Sequence, residues 1–193
     1  GAKRVWVLFK VYSDVQERYR QEGLSSDIKQ ARLGIILLMA PLVFYIFNDY
    51  YFFGISPEFF GLAALRFGFL IFTVLILGYF NRLSNFRLYD RSIFLWGFIG
   101  VVITTLINAS RPQNFLFHVI IVLSMIAITY FVIPQKHVNR TIIASGLTLG
   151  LIVNLFIGLQ TIAISALISI FVSLALVNLV GFFISRQTES NRF

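Results

Sequence analysis

The chain alternates long apolar runs with short polar breaks. Six runs approach the roughly 20 residues with which an α-helix crosses about 30 Å of hydrocarbon. They cover residues 33–53, 61–80, 92–109, 115–133, 141–158 and 161–185. The breaks contain turn-forming and charged residues, as in GISPE and PQKHVNR. Because the runs are too continuous for barrel strands, which alternate over about ten residues, the pattern predicts an all-α polytopic membrane protein with six transmembrane helices.

The composition agrees with a membrane protein and narrows the possible chemistry. Hydrophobic residues make up 58% of the 193 residues and charged residues 12%, against about 45–50% and about 25% in soluble domains. The chain has no cysteine, which excludes disulfides, thiolate catalysis and cysteine-ligated metals. Its two histidines, His118 and His137, are too few and too far apart to hold a metal. We therefore expect no cofactor.

The lysines and arginines predict an orientation. Seven precede the first run, three lie between the second and third runs, two between the fourth and fifth, and two after the sixth. Only Arg66 and Arg111 fall on the other side. Since cytoplasmic loops are enriched in lysine and arginine, we predict that both termini are cytoplasmic. The net charge of +8 then reflects orientation and lipid headgroup contact, so no nucleic-acid partner is expected.

Residues 1–32 precede the first run as a juxtamembrane segment. Apolar residues recur there every three or four positions, among lysines and arginines: Val5, Leu8, Tyr12, Val15 and Tyr19. A basic amphipathic helix of this kind can lie on an anionic membrane surface, or it can pack against a partner helix or a cytoplasmic domain. Residues 25–27, Ser-Ser-Asp, then offer N-cap oxygens for a new helix that continues into the membrane.

Polar and ionisable residues collect on the side that we predict to be non-cytoplasmic. They are Asp49, Glu58, Arg66, Asn108, Arg111 and His118. Ionisable residues in membrane segments are functional candidates by default, and two acids with two arginines would suit a paired, partly desolvated pocket for a small-molecule or lipid ligand. Two simpler interpretations stay open, namely a structural ion pair between Asp49 and Arg66, and a His118 that only packs.

Small residues mark the last two predicted helices. They are Gly146 and Gly150 in the fifth, and Ser165, Ser169, Ser173 and Gly181 along one stripe of the sixth. Small residues allow helix backbones to approach closely in membranes. The pattern predicts either packing within one subunit or a homodimer interface along the sixth helix.

A transporter or channel is an alternative with less support. A proton relay or ion path uses acidic residues at mid-membrane depth, and the apolar runs contain none there. The chain also shows no selectivity-filter sequence and no clear repeat between its halves. Asn154 and Asn178 are interpreted as partners in hydrogen bonds between helices.

Residues 186–193 continue the sixth run as a polar segment without glycine or proline. Its charged residues are Arg186, Glu189 and Arg192, of which the first two can pair at i,i+3. We expect one helix to leave the membrane here, with a frayed tail as the alternative. Because no helix breaker precedes Phe193, we also expect the chain to be a piece of a longer protein.

Two stretches resemble a known group of bacterial modules. ERYRQEGLSSDIKQARLGIILLMAPLVFYIFNDYYF runs from a charged juxtamembrane helix into the first span, and NLVGFFISRQTESNRF runs from the last span into a polar helix. This arrangement is similar to the six-helix membrane sensor domains (MASE-type and related) that precede GGDEF diguanylate cyclases, class III adenylyl cyclases and some histidine kinases.

The resemblance implies several properties. They are a bacterial cytoplasmic membrane, a homodimer, no catalysis within this segment, and a cytoplasmic output domain on the same polypeptide, foremost a nucleotide cyclase. Residues 33–185 would then form the sensor domain and residues 186–193 the start of a signalling helix. In that reading Arg186, Glu189 and Arg192 belong to the signal output. A passive dimeric membrane anchor for the output domain is the alternative.

Overall fold

The computed structural model describes residues 18–111, 115–157 and 162–190. The regular structure of these residues is helical, in six long helices with short connections between them. The helices are α1 (Leu24–Phe53), α2 (Pro57–Tyr79), α3 (Phe86–Ala109), α4 (Phe115–Phe131), α5 (His137–Ile157) and α6 (Ile164–Ser190). A single 3₁₀ turn, Phe80–Arg82, follows α2. The predicted all-α fold is confirmed.

Five of the six helices are long and apolar enough to cross a membrane, within the part of the chain that the structure describes. The remaining helix, α4, is apolar but shorter, with 17 residues, which gives a length of about 25 Å. Large apolar side chains cover the outside of the bundle, for example Phe47 at 73% exposure and Val74 at 66%. Such a surface suits lipid, so the chain is built as a multi-pass membrane protein.

Local sequence explains three of the helix ends. Ser56 Oγ accepts a hydrogen bond of 3.2 Å from the Phe59 amide, and Pro57 occupies the first turn of α2. Asn85 Oδ1 caps α3 in the same way, at 2.8 Å from the Arg87 amide. Gly54 ends α1 with a φ of 59°, a conformation that glycine adopts without steric strain.

The predicted N-cap at residues 25–27 is wrong. The structure begins α1 at Leu24, with Gly23 as a helical N-cap residue and no side-chain capping bond. Residues 18–22 are also helical, and the Gly23 amide donates to the Tyr19 carbonyl at 3.0 Å. Residues 18–22 therefore lead into α1 without the break that the Ser-Ser-Asp sequence suggested, and the predicted amphipathic positions before residue 18 lie outside the described residues.

The helices build two apolar cores. The first lies among α1, α2 and α3, where Trp96 stacks on Phe69 with centroids 5.8 Å apart. The second lies among α4, α5 and α6, around Ile126, Leu147 and Leu174. Contacts between α3 and α5 and between α1 and α4 join the cores. The six helices form one bundle in which α1 and α4 are neighbours.

The bundle has two ends that differ in their charge. We call the end where α1 begins, and where the α2–α3 and α4–α5 connections lie, the basic end. We call the end with the α1–α2 and α3–α4 connections the opposite end. Hydrogen bonds from Arg20 to Asp90 and from Tyr89 to the Pro134 carbonyl connect elements at the basic end. Each end contains a cluster of buried polar residues.

Candidate functional site

A buried ion pair stands at the opposite end. Asp49, in the last two turns of α1, is fully buried, and Arg66 is 3% exposed. The Arg66 guanidinium donates from Nε to Asp49 Oδ2 at 2.7 Å and from Nη2 to Oδ1 at 3.2 Å. A longer bond of 3.4 Å runs from its Nη1 to the Leu42 carbonyl. Because α2 begins at Pro57 rather than Gly61, Arg66 lies deeper in its helix than the apolar run suggested.

Arg111 adds a second guanidinium to the same carboxylate. It follows α3, is 3% exposed, and pairs through Nη2 with Asp49 Oδ1. Its Cζ also lies 5.9 Å from the centroid of the Phe53 ring. Among the described residues, its Nε and Nη1 have no hydrogen-bond partner although both are buried. Arg111 therefore presents two unused donors within an apolar bundle.

The charges of this cluster do not balance. The sequence suggested two acids and two arginines, but the structure leaves Glu58 exposed on the first turn of α2. Within the described part of the chain, the ion pairs of Arg66 and Arg111 both go to Asp49. One carboxylate thus serves two guanidiniums, and one positive charge is in excess. An uncompensated buried charge costs several kcal/mol, so an anion beside these two guanidiniums would be favourable.

A cavity of about 140 Å³ adjoins the cluster. Its polar wall is formed by Arg66, Asn108, Arg111 and His118, of which Asn108 and His118 are each 5% exposed. The rest of its wall is mainly apolar and comes largely from α1 and α4: Leu38, Met39, Leu42, Ile121, Met125 and Ile128. The structure thus brings Asp49, Arg66, Asn108, Arg111 and His118 together and leaves Glu58 outside.

A second polar cluster holds the end of α6 at the basic end. Ser185 is 1% exposed, and its Oγ lies 3.3 Å from Arg140 Nη1 and 3.3 Å from His137 Nδ1. The Arg140 Nη1 also donates to the Tyr130 carbonyl at 3.0 Å. Glu189 Oε2 accepts from the His137 amide at 2.9 Å, which places a carboxylate at the N-terminus of α5, where the helix dipole favours it.

Sequence reasoning missed Arg140 and Ser185 as site residues. Arg140 was counted only as an orientation signal, and Ser185 marked only the end of an apolar run. Their spacing of 45 residues gives no local signal of contact. Of the three predicted output residues, Glu189 belongs to this cluster, Arg186 is exposed, and Arg192 lies outside the described residues.

The small residues of α5 face α3 within the same chain. A Cβ built on Gly146 would lie 3.1 Å from a Val101 methyl group, and one on Gly150 would overlap the Thr105 hydroxyl. Nearby, Asn154 Nδ2 donates to the Thr105 carbonyl at 3.1 Å. These contacts place the predicted close approach between α3 and α5 of one subunit.

The small residues of α6 do not share one face. Ser165 and Ser169 are exposed, Ser173 is half-buried, and Gly181 is buried. Each step of four residues turns a helix by about 40° beyond a full turn, so four steps carry the stripe to nearly the other side. Gly181 lies under the Tyr130 ring of α4, where a Cβ would come within 2.6 Å of the ring Cγ.

Helix α4 connects the two clusters. His118, near the start of α4, lines the cavity. Tyr130, near its end, packs its ring on Gly181, and its backbone carbonyl accepts a hydrogen bond from Arg140. Twelve residues separate them along one helix, which is about 18 Å. A shift or rotation of α4 at the cavity would therefore act directly on the α6 contact.

Comparisons with protein-family models, with curated proteins and with solved structures found no match for this chain.

Proposed function

We propose that the chain is a membrane sensor domain with a ligand pocket at the opposite end and an output through α6. The pocket is the cavity beside Asp49, Arg66, Arg111 and His118. The observation that carries the proposal is Arg111, which is almost fully buried. Its Nε and Nη1 have no hydrogen-bond partner among the described residues, and it belongs to a cluster with excess positive charge. An apolar residue at this position would stabilise the bundle at least as well, because buried ions seldom add to stability.

The proposed orientation places the basic end in the cytoplasm, in keeping with the positive-inside rule. The pocket then lies toward the outer face of a bacterial cytoplasmic membrane. Helix α6 continues without interruption through Ser190 and leads the signal into the cytoplasm. Its partner would be an output domain of the same polypeptide, foremost a diguanylate or adenylyl cyclase, in a homodimer.

The proposed mechanism is a shift between two packings of α4 against α6. A ligand can shift such an equilibrium only by binding one state more tightly than the other. Filling the cavity moves the α4 segment around His118, and α4 passes this movement to the contact of Tyr130 with Gly181. The bonds of Ser185 and Glu189 then re-form in another geometry, which changes the direction of the last turns of α6.

The experiment joins a cyclase catalytic domain after Phe193 and measures its product in membranes. Variants Arg111→Met and His118→Ala change the pocket, Gly181→Ala changes the α4–α6 contact, and the exposed Glu58→Gln is the matched control. We expect the first three to change the rate of product formation and the control to leave it unchanged. Equal rates in all variants, at equal protein levels, would reduce the domain to a passive dimeric anchor.

A further inference from the structure

We propose that the cavity binds a single-chain amphiphilic carboxylate of medium length, which enters from the membrane. This inference rests on the proposed function of the same pocket and adds the chemical class of its ligand. Three features carry it, and they concern the charged wall, the apolar wall and the opening.

The charged wall selects an anion that accepts hydrogen bonds. Arg111 keeps Nε and Nη1 without a hydrogen-bond partner within the described part of the chain. A charge-assisted hydrogen bond from a guanidinium N–H to a carboxylate oxygen is stronger than one to a neutral acceptor. One negative charge compensates the excess that Asp49 leaves on Arg66 and Arg111. The charge therefore favours a monoanion over a dianionic phosphate monoester.

The apolar wall selects an aliphatic tail. Beyond the charged wall the cavity is lined mainly by the side chains of Leu38, Leu42, Ile121, Met125 and Ile128. Its volume of about 140 Å³ holds on the order of ten water-sized groups, at roughly 10–15 Å³ each. Octanoate has a headgroup and a tail of this combined size.

The opening lies between α1 and α4 on the lipid-facing surface. Leu37 and Ile120 line the cavity and are 47% and 56% exposed. Both are large apolar residues on spans of a membrane protein, so lipid rather than water adjoins this opening. A ligand that dissolves in the membrane can enter here with its tail, whereas a hydrophilic anion such as acetate lacks the apolar contacts.

The test captures the ligand in place. The purified 193-residue chain, in phosphatidylcholine nanodiscs, is irradiated with an eight-carbon carboxylate that bears a diazirine, and the labelled peptides are identified by mass spectrometry. We expect labels on α1 and α4 around residues 37–42 and 120–128. Octanoate should compete with the probe, and octylamine, octanol and acetate should not.

Two variants and one control decide the role of the site. Arg111→Gln removes the charged headgroup contact and should reduce capture about tenfold, since a charge-assisted hydrogen bond commonly has this weight. Ile121→Trp fills the cavity without changing its charge and should also reduce capture. Glu58→Gln should behave as the unsubstituted chain. Unchanged capture in both pocket variants would overturn the inference.

The source of the anion is tested in the same assay. Nanodiscs that contain phosphatidylglycerol supply an anionic lipid headgroup, and competition by this lipid but not by octanoate would overturn the single-chain ligand. The outcomes also separate the two proposals. If capture depends on Arg111 but the pocket variants do not change the product rate of the cyclase fusion, the sensor function alone is contradicted. If the pocket variants change the product rate of the fusion but the carboxylate probe is not captured, the ligand class alone is contradicted.

Discussion

Asp49 and Arg111 contact each other, yet we expect only the replacement of Asp49 to destabilise the bundle. Asp49→Asn removes the carboxylate that both Arg66 and Arg111 share. Two buried guanidiniums would then face each other without a counter-charge. Removing one partner of a buried ion pair costs about 3–5 kcal/mol, and here two pairs lose the same partner, so we expect the upper part of that range.

Arg111→Met has a different balance. The variant keeps the bidentate bonds between Arg66 and Asp49, at 2.7 and 3.2 Å, and removes the excess charge. It also removes two buried donor nitrogens that have no partner in the described part of the chain, each of which costs about 1–3 kcal/mol. Methionine fills a similar space with apolar atoms. We therefore expect stability to stay equal or to rise by about 1–3 kcal/mol.

The assay is reversible unfolding in detergent micelles by titration with sodium dodecyl sulfate, followed by far-ultraviolet circular dichroism. Glu58→Gln, at an exposed position on α2, is the control and should agree with the unsubstituted chain. If Arg111→Met destabilises the bundle as strongly as Asp49→Asn, then Arg111 is a structural partner and the argument for an incomplete anion site is refuted.

Three further predictions concern other contacts and use the same unfolding assay. Gly181→Leu should lower the free energy of unfolding by about 1–3 kcal/mol, because the larger side chain overpacks against Tyr130. Ser165→Leu, at an exposed position on the same helix, should not, and equal effects would contradict the packing of α6 on α4. Thr73→Val should lower the free energy of unfolding by about 1–3 kcal/mol, because the Trp96 indole N–H loses its acceptor at 3.0 Å. Thr73→Ser should retain most of the stability, and an equal loss of stability in both variants would argue against this hydrogen bond. Glu189→Gln should lower stability by about 0.3–1 kcal/mol through the loss of charge at the start of α5, and an equal loss in Gln187→Ala, which is exposed, would exclude a specific contact.

The sequence was sufficient to predict the helical fold and the end of the bundle at which five of the six candidate pocket residues cluster. Continuous apolar runs of this length form α-helices in lipid, since each backbone polar group must then form its hydrogen bond within its own segment. Ionisable residues such as Asp49 and Arg66 are rare in such runs, so their position at one end of the bundle was visible. The beginning of α1 was not predictable, because the capping signal at residues 25–27 competes with a helix that already runs through residues 18–22.

The partners of the polar residues could not be read from the sequence. Glu58 and Arg66 lie eight positions apart, which sets them about 80° apart around α2, and only tertiary packing decides which of the two faces α1. The contact of Arg140 with Ser185 joins helices that are distant in sequence. Similarly, regular spacing of small residues on α6 did not reveal that Gly181 packs on Tyr130 while Ser165 faces outward.

The most direct test of the account measures whether the pocket moves the end of α6. Because the sequence has no cysteine, spin labels can be attached at Leu88→Cys on α3 and Gln187→Cys on α6, both exposed at the basic end. Double electron–electron resonance then gives the distance between the labels in nanodiscs with and without octanoate. We predict that octanoate shifts this distance and that Arg111→Gln abolishes the shift. An unchanged distance at octanoate concentrations that saturate the photolabelled site would contradict coupling between the pocket and α6.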